Sequence, residues 1–234
     1  GVVVGDIVSW EPHPDADKLR VCQVSVGTGD PLQVVCGAPN ARVGLRAPFA
    51  RVGAVLPGGL RIKRAKLRGV ESLGMLCAAS ELELSEDAEG LMELPREATP
   101  GADLREALGL DDTRLEIGLT PNRADCLSIA GIAREVALLN DLPLCAPPAR
   151  EVPVTSKQRR AVRLESPGRC PRYLCRVIED VDLARPSPLW LQEKLRRVGL
   201  RPIDAAVDVT NYLLMELGQP MHAFDLECVQ GGVD

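Results

Sequence analysis

The chain has 234 residues, of which 45% are apolar and 26% charged, and its formal net charge is −5. That length accommodates one large or two modest domains with cores of their own, and the acidic balance excludes a general nucleic-acid coat. With 3% aromatic residues, binding of RNA along rows of stacked rings is excluded as well, so any RNA contact must come from a local patch. No apolar run reaches membrane-spanning length, and the composition is that of a soluble intracellular protein with no membrane partner. The eight cysteines include no Cys-x-x-Cys pair, and neither of the two histidines lies at zinc-like spacing from them. They read as free thiols buried in strands and helices, with no metal site.

From residue 1 to about 95 the pattern is one of short β-rich runs divided by turns. Val2 to Trp10, Leu19 to Val26, Leu32 to Cys36, Arg46 to Val55 and Leu91 to Leu94 carry the β-branched and apolar density. Residues 27–30 (Gly-Thr-Gly-Asp) and 57–59 (Pro-Gly-Gly) are the turns. Short strands at this spacing predict a small barrel, and an OB-fold has about this size. After Pro100-Gly101 the period becomes helical. Asp103 to Leu110 reads as a short helix, and Cys126 to Leu139 as a longer one, with Leu127, Ile129, Ile132, Val136 and Leu139 on one stripe. Asp125 is the expected N-cap and Asn140 the stop. Four prolines within residues 143–153 mark a linker. Beyond it, residues 152–154, Ala161 to Leu164 and Tyr173 to Ile178 alternate like strands. Ser187-Pro188 opens a helix that Gly199 closes, and Thr210 to Leu217 is a second helix stopped by Gly218 and Pro220. The organisation is α+β: a barrel over 1–99, a helical connector and linker over 100–150, and an α+β segment over 151–234. The opening on Gly1 and the absence of a closing element near Asp234 mark the chain as part of something longer.

Charge separates along the barrel segment. Residues 61–68 hold five cations in eight positions, whereas 81–93 hold six acids and no base. A basic stretch of this kind gives phosphates a local positive potential, although a solvated charged strand would look the same. Strand alternation places Arg61 and Lys63 on one face and Arg64, Lys66 and Arg68 on the other, so the latter three are the candidates for an RNA surface. Residues 13–19 read His-Pro-Asp-Ala-Asp-Lys-Leu: Pro12 and Pro14 fix an extended turn in which Asp15 and Asp17 accept backbone N–H groups, with Lys18 or Arg20 as ion-pair partners of Asp17. His13 reads as exposed and incidental. In the C-terminal part, the 218–220 turn returns the chain sharply, so that His222 could face the start of the Thr210 helix. Free N–H donors there, together with Thr210 and Asn211, would form a small polar pocket; a core histidine beside a self-capping Thr210 is the alternative.

The 13–19 stretch, followed by Val34-Val-Cys-Gly-Ala-Pro-Asn40 and Gly69-Val-Glu-Ser-Leu-Gly-Met75, resembles the tRNA-binding OB-fold module of several synthetases and accessory proteins. Asp208-Val-Thr-Asn-Tyr212 running into Gly218-Gln-Pro-Met-His-Ala-Phe-Asp225 is similar to one host of that module, the β subunit of bacterial phenylalanine–tRNA ligase. The resemblance covers essentially the whole chain. It implies tRNA binding near Arg64, Lys66, Arg68 and Ser72, and structural roles for Asp15, Asp17, Lys18 and Asn40. It implies further that Thr210, Asn211 and His222 line a pocket hydrolysing tyrosine mischarged onto phenylalanine tRNA, because a single hydroxyl is discriminated only about 10²-fold by an apolar pocket. By the same resemblance the expected partners are phenylalanine tRNA and an α subunit in a cytoplasmic α₂β₂ enzyme. ATP and Mg²⁺ would be used by that assembly at its α subunit, with no cofactor bound and no aminoacylation performed by this segment. Two rivals stand beside this reading: a free-standing tRNA-binding module, and an assembly piece whose barrel holds no RNA.

Overall fold

The computed structural model describes residues 1–146 and 151–229. The chain divides into two compact units, Gly1–Thr113 and Arg114–Asp234. The division falls at neither 99 nor 150: residues 100–113 belong with the barrel, and the connector's long helix belongs with the C-terminal helices. The expected linker lies partly on 147–150, and the end expected near Asp234 lies beyond 229, both outside the described residues.

The first unit is a nearly closed antiparallel barrel. Strands β1 (Val2–His13), β2 (Ala16–Ser25), β3 (Leu32–Cys36), β4 (Arg46–Arg51) and β7 (Gly74–Leu76) are ordered β3-β2-β1-β4-β7. Between β4 and β7, β5 (Ala65–Leu67) and β6 (Val70–Ser72) form a small hairpin. β1 is long because it is used twice, pairing with β4 over Val2–Asp6 and with β2 over Asp6–His13. Its early run is buried on both faces, since residues 101–103 lie along it: Ala102 accepts from the Val4 N–H at 2.9 Å and Gly101 donates to the Val4 carbonyl at 2.7 Å. That is why Val2 to Val4 reads as continuously apolar instead of alternating. Register shifts beyond Ile7 and Pro12 bend the strand into its turn.

Phe49 lies at the centre of the barrel with Ile7, Cys22, Val24, Val34 and Leu76. Its ring fills the space that a side chain at Gly74 would need, a Cβ there coming within 2.4 Å of it, while a Cβ at Gly5 would meet the Phe49 Cβ and Val24 at 2.8 Å. Closure runs through residues 71–73. Leu73 N–H donates to the Gln33 carbonyl (2.8 Å), the Ser72 hydroxyl accepts from Val35 N–H (3.1 Å) and donates to the Gly74 carbonyl (2.9 Å), and Gln33 Nε2 reaches the Glu71 carbonyl (2.8 Å). Leu91 to Leu94 form no strand. They lie as a loop tied by Met92 to the Cys77 carbonyl and by Leu94 to the Arg46 carbonyl, single bonds to two different partners instead of a ladder. Helix α1 (Leu104–Ala107) is shorter than its pattern and is capped by Asp103.

In the second unit a 3₁₀ turn over Pro121–Cys126 leads to α2 (Ile129–Asn140), followed by α3 (Leu189–Arg197) and α4 (Ala205–Leu217). Ser128, not Asp125, caps α2: its hydroxyl accepts from Gly131 N–H at 2.9 Å, and Gly131 presses on the Asp125 backbone where a Cβ would clash at 2.3 Å. The last turn takes in Asn140 and stops at Asp141, in the left-handed region. Helix α4 begins at the Asp204 cap, six residues before Thr210, and ends at Gly218. Its Asp208, 1% exposed, accepts from the Ser187 hydroxyl at 2.6 Å and from Ile203 N–H at 2.8 Å, stapling the entries of α3 and α4. The strands expected at 152–154, 161–164 and 173–178 do not form among the described residues; that backbone is irregular, with an isolated bridge at Val162 and no ladder. The α+β class therefore rests on the barrel and the helices together.

Candidate nucleic-acid interface

The basic stretch is not a single strand, so simple alternation does not assign its faces. Ile62 turns inward, Arg61 bridges to Val55, and only 65–67 is strand. Leu67 and Val70 are paired across Arg68 (φ 44°) and Gly69 (φ 89°), a two-residue turn with both residues left-handed. Arg68 therefore stands at the tip of the β5–β6 hairpin. Arg64 forms an ion pair with Glu71 (3.3 Å), and Lys66 stands opposite Glu71 in register. Both cations are exposed, and a pair so exposed holds neither side chain strongly.

The tip of this hairpin meets the turn between β1 and β2. Arg68 Nη1 donates to the Asp15 carbonyl at 3.1 Å. Arg68 and residues Ala16, Asp17, Lys18 and Leu19 line an open cleft of about 280 Å³. Two exposed cations, Lys18 and Arg68, thus share one recess with one carboxylate. The structure brings Asp15, Asp17 and Lys18 to the basic stretch, which distance along the chain concealed. His13 is not exposed: it is 4% accessible, its Nδ1 accepts from Asp15 N–H at 3.1 Å, and its Nε2 bonds the Leu67 carbonyl at 3.1 Å. A histidine beside two turn prolines looks solvent-facing in sequence; the second hairpin, folding over it, buries it.

Ser72 is 3% exposed and its hydroxyl makes the barrel-closing bonds, so it offers phosphate no surface. Asn40 clamps the Leu91 backbone, accepting from its N–H at 2.8 Å and donating to its carbonyl at 2.9 Å. Arg20, which sequence reasoning treated only as a partner for Asp17, donates to the carbonyls of Ala38, Pro39 and Ala41 and covers the Trp10 ring at 4.9 Å. It braces the loop that carries Asn40. The signal that could have found it is the cross-strand register, Arg20 opposite Cys36.

The C-terminal trio is not assembled. Thr210 lies within α4, its hydroxyl donating to the Val207 carbonyl at 2.8 Å, and the helix N–H donors are taken up by Asp204 six residues away. Asn211 follows within the same helix, half-buried. His222 lies past the end of α4, exposed, its ring against Phe224 at 4.6 Å. Among the described residues no hydrogen bond joins it to Thr210 or Asn211.

One further cluster has ligand-like chemistry: Asp125, Cys126 and Glu135 present an oxygen, a sulfur and an oxygen within 4.8 Å of one another. The Arg123 guanidinium already lies among them, 3.1 Å from Asp125, 2.6 Å from Glu135 and 3.1 Å from the Cys126 sulfur. These acceptors hold the Arg123 charge in place and push its pKa further up. A cation of the chain's own occupies the position a metal would take.

Comparison with known proteins follows the same division. A tRNA binding domain model matches residues 2–103, and a B3/4 domain model matches residues 169–234. The phenylalanine–tRNA ligase β subunits of Pseudomonas putida and Methylococcus capsulatus are 59% and 60% identical over 233 residues, which is 100% of this chain and 29% and 30% of theirs. That of Hahella chejuensis is 57% identical over 233 residues, again 100% of this chain and 29% of the relative. The chain thus spans under a third of the length of the curated relatives it matches. No helix among the described residues is long and apolar enough to cross a membrane. Matched from end to end by these proteins, the chain belongs to the phenylalanine–tRNA ligase β-subunit family.

Proposed function

We propose that this chain is the part of a phenylalanine–tRNA ligase β subunit whose barrel binds tRNA through its sugar–phosphate backbone. The observation that carries the reading is the joining of Lys18 and Arg68 in one recess on an otherwise acidic chain. Two cations brought together from distant segments form a local phosphate site, with Lys66 extending it along the hairpin. Binding of this type is largely counterion release, so affinity falls steeply as salt rises. In the assembled cytoplasmic α₂β₂ enzyme, ATP and Mg²⁺ would serve the α subunit. The carboxylates at 125 and 135 do not fit a magnesium site, because Arg123 fills the space between them. Thr210, Asn211 and His222 would contribute to the hydrolytic pocket for mischarged tRNA only together with further parts of the subunit.

The test is titration of the chain with phenylalanine tRNA and an unrelated tRNA across a salt series. The expected result is a steep salt dependence, reduced together with affinity when Lys66→Glu and Arg68→Glu are combined. Unchanged affinity and slope in that variant would leave the barrel as architecture, the alternative to which the Arg64–Glu71 pair lends weight.

A further inference from the structure

We propose that His13 is a positioning residue for the phosphate-binding recess, fixing the β5–β6 hairpin against the β1–β2 turn and so setting where Arg68 stands relative to Lys18. The proposal rests on the RNA-binding reading above and deepens it.

The assignment of the ring follows from its two partners. A backbone N–H can only donate, so Nδ1, facing Asp15 N–H, is the acceptor. A carbonyl can only accept, so Nε2, facing Leu67, carries the proton and donates. One neutral tautomer satisfies both, and each ring nitrogen is engaged in a different hairpin. The second bond spans 54 residues and lands on the residue immediately before Arg68. Arg68 returns the connection by donating to the Asp15 carbonyl. Two reciprocal bonds, His13 to Leu67 and Arg68 to Asp15, therefore join the two turns.

The small hairpin needs such a tie. Its strands are three residues each, too short to hold a position of their own. Its β6 side is anchored to β3 through Glu71, Ser72 and Leu73. At the end bearing Arg68 the anchoring comes from His13 and Asp15. Untied, Arg68 keeps its charge but loses its fixed distance from Lys18.

Two near-isosteric variants separate the bonds. His13→Gln keeps a donor that reaches Leu67 and loses the acceptor for Asp15, whereas His13→Asn keeps the local acceptor and loses the reach. With tRNA at fixed salt, His13→Asn is expected to bind about tenfold more weakly, the worth of one lost positioning bond, with an unchanged salt slope because no cation has been removed. His13→Gln is expected to stay within about threefold of wild type. Trypsin should cut after Lys66 and Arg68 faster in His13→Asn than in wild type without RNA present.

A role confined to barrel stability would lower the melting temperature of His13→Asn but leave the folded variant's affinity unchanged, and that result overturns the proposal. Should His13→Asn fail to fold, weakened binding by folded His13→Gln overturns it instead. Failure of wild type to bind any tRNA removes the RNA-binding reading itself, and the proposal with it, which is distinguishable from the variants' equality.

Discussion

The barrel and the helical unit are built from similar amounts of apolar sequence but differ in what they bury. In the barrel the apolar faces converge on Phe49, and every long strand has a ladder on each side or a loop covering it. In the second unit Leu139 is 80% exposed and Val154 is 78% exposed, while Cys126, Leu191 and Leu195 are its buried apolar side chains among the described residues. The contrast shows how the two kinds of element depend on their surroundings. A helix satisfies its own backbone, so α2 and α4 form where their caps and stops dictate, and α3 between Pro188 and Gly199. A strand's N–H and C=O groups need a neighbouring strand, so the β-like runs at 152–154, 161–164 and 173–178 build no ladder among the described residues, Val162 making an isolated bridge only.

Thiol reactivity provides the largest test of this comparison. Cys22, Cys36 and Cys77 are buried in the barrel, whereas Cys145, Cys170, Cys175 and Cys228 are exposed. Barrel thiols react only when the barrel opens, so alkylation of the exposed four should run roughly a thousandfold faster or more. Cys22 and Cys77 should be the slowest: the hydrogen bond with Cys36 and burial push the Cys22 thiol up, and burial pushes that of Cys77 up to about 12. Cys36 is the sensitive exception, because hydrogen bonding from Cys22 and from the Ala38 N–H lowers its thiol pKa. Mass spectrometry of timed alkylation reads all of these; equal rates for the two sets would break the contrast.

Truncation of the barrel's central ring comes next. Phe49→Ala should destabilise the first unit by about 3–5 kcal/mol, the cost of a large buried aromatic and its cavity. Denaturation followed in each unit should show the barrel transition moving to lower denaturant while the helical signal holds. If both shifted equally, the units would not be independent.

The smallest effect concerns the surface pair Arg42–Glu93, bonded at 2.7 Å beside the Asn40 clamp. The hydrogen bond from Arg42 holds the Glu93 carboxyl below its ordinary value. A depressed folded-state pKa contributes stability above the unfolded carboxylate range, and that contribution is lost as pH falls through the depressed value. Both side chains are about half exposed, so the contribution is at most about 1 kcal/mol. Arg42→Gln should therefore be slightly less stable than wild type near neutral pH and equal to it in acid, as read from urea midpoints at several pH values.

Much of the barrel was legible because local chemistry and tertiary context agree there. Leu32–Cys36 is strand from end to end, β1 and β2 follow their β-branched density, and the Asn40 motif is structural. The short strands β5, β6 and β7 were not legible, since three residues show no period. Leu91 to Leu94 showed a strand's composition but found no ladder. At the candidate site, Arg68 and Lys18 could be named separately, but nothing in their positions, fifty residues apart, says that they share a recess. His13 reads as exposed for the same reason, since the hairpin that covers it lies 54 residues along the chain. Thr210 reads as a helix start from the residues that follow it, whereas the cap that sets the start is Asp204, six residues upstream.

By itself the sequence determined the family, the acidic balance with its one basic stretch, the longer barrel strands, and the stops at Gly199 and Gly218. Each of these depends on residues close together in the chain, where composition, turn chemistry and capping act directly. Only the tertiary structure decided that Arg123 fills its own acidic cluster and that His13 lies buried between two hairpins. Those outcomes depend on which distant backbone groups remain unpaired once the sheet has formed, and a buried N–H or carbonyl must be satisfied by whatever side chain the fold brings to it.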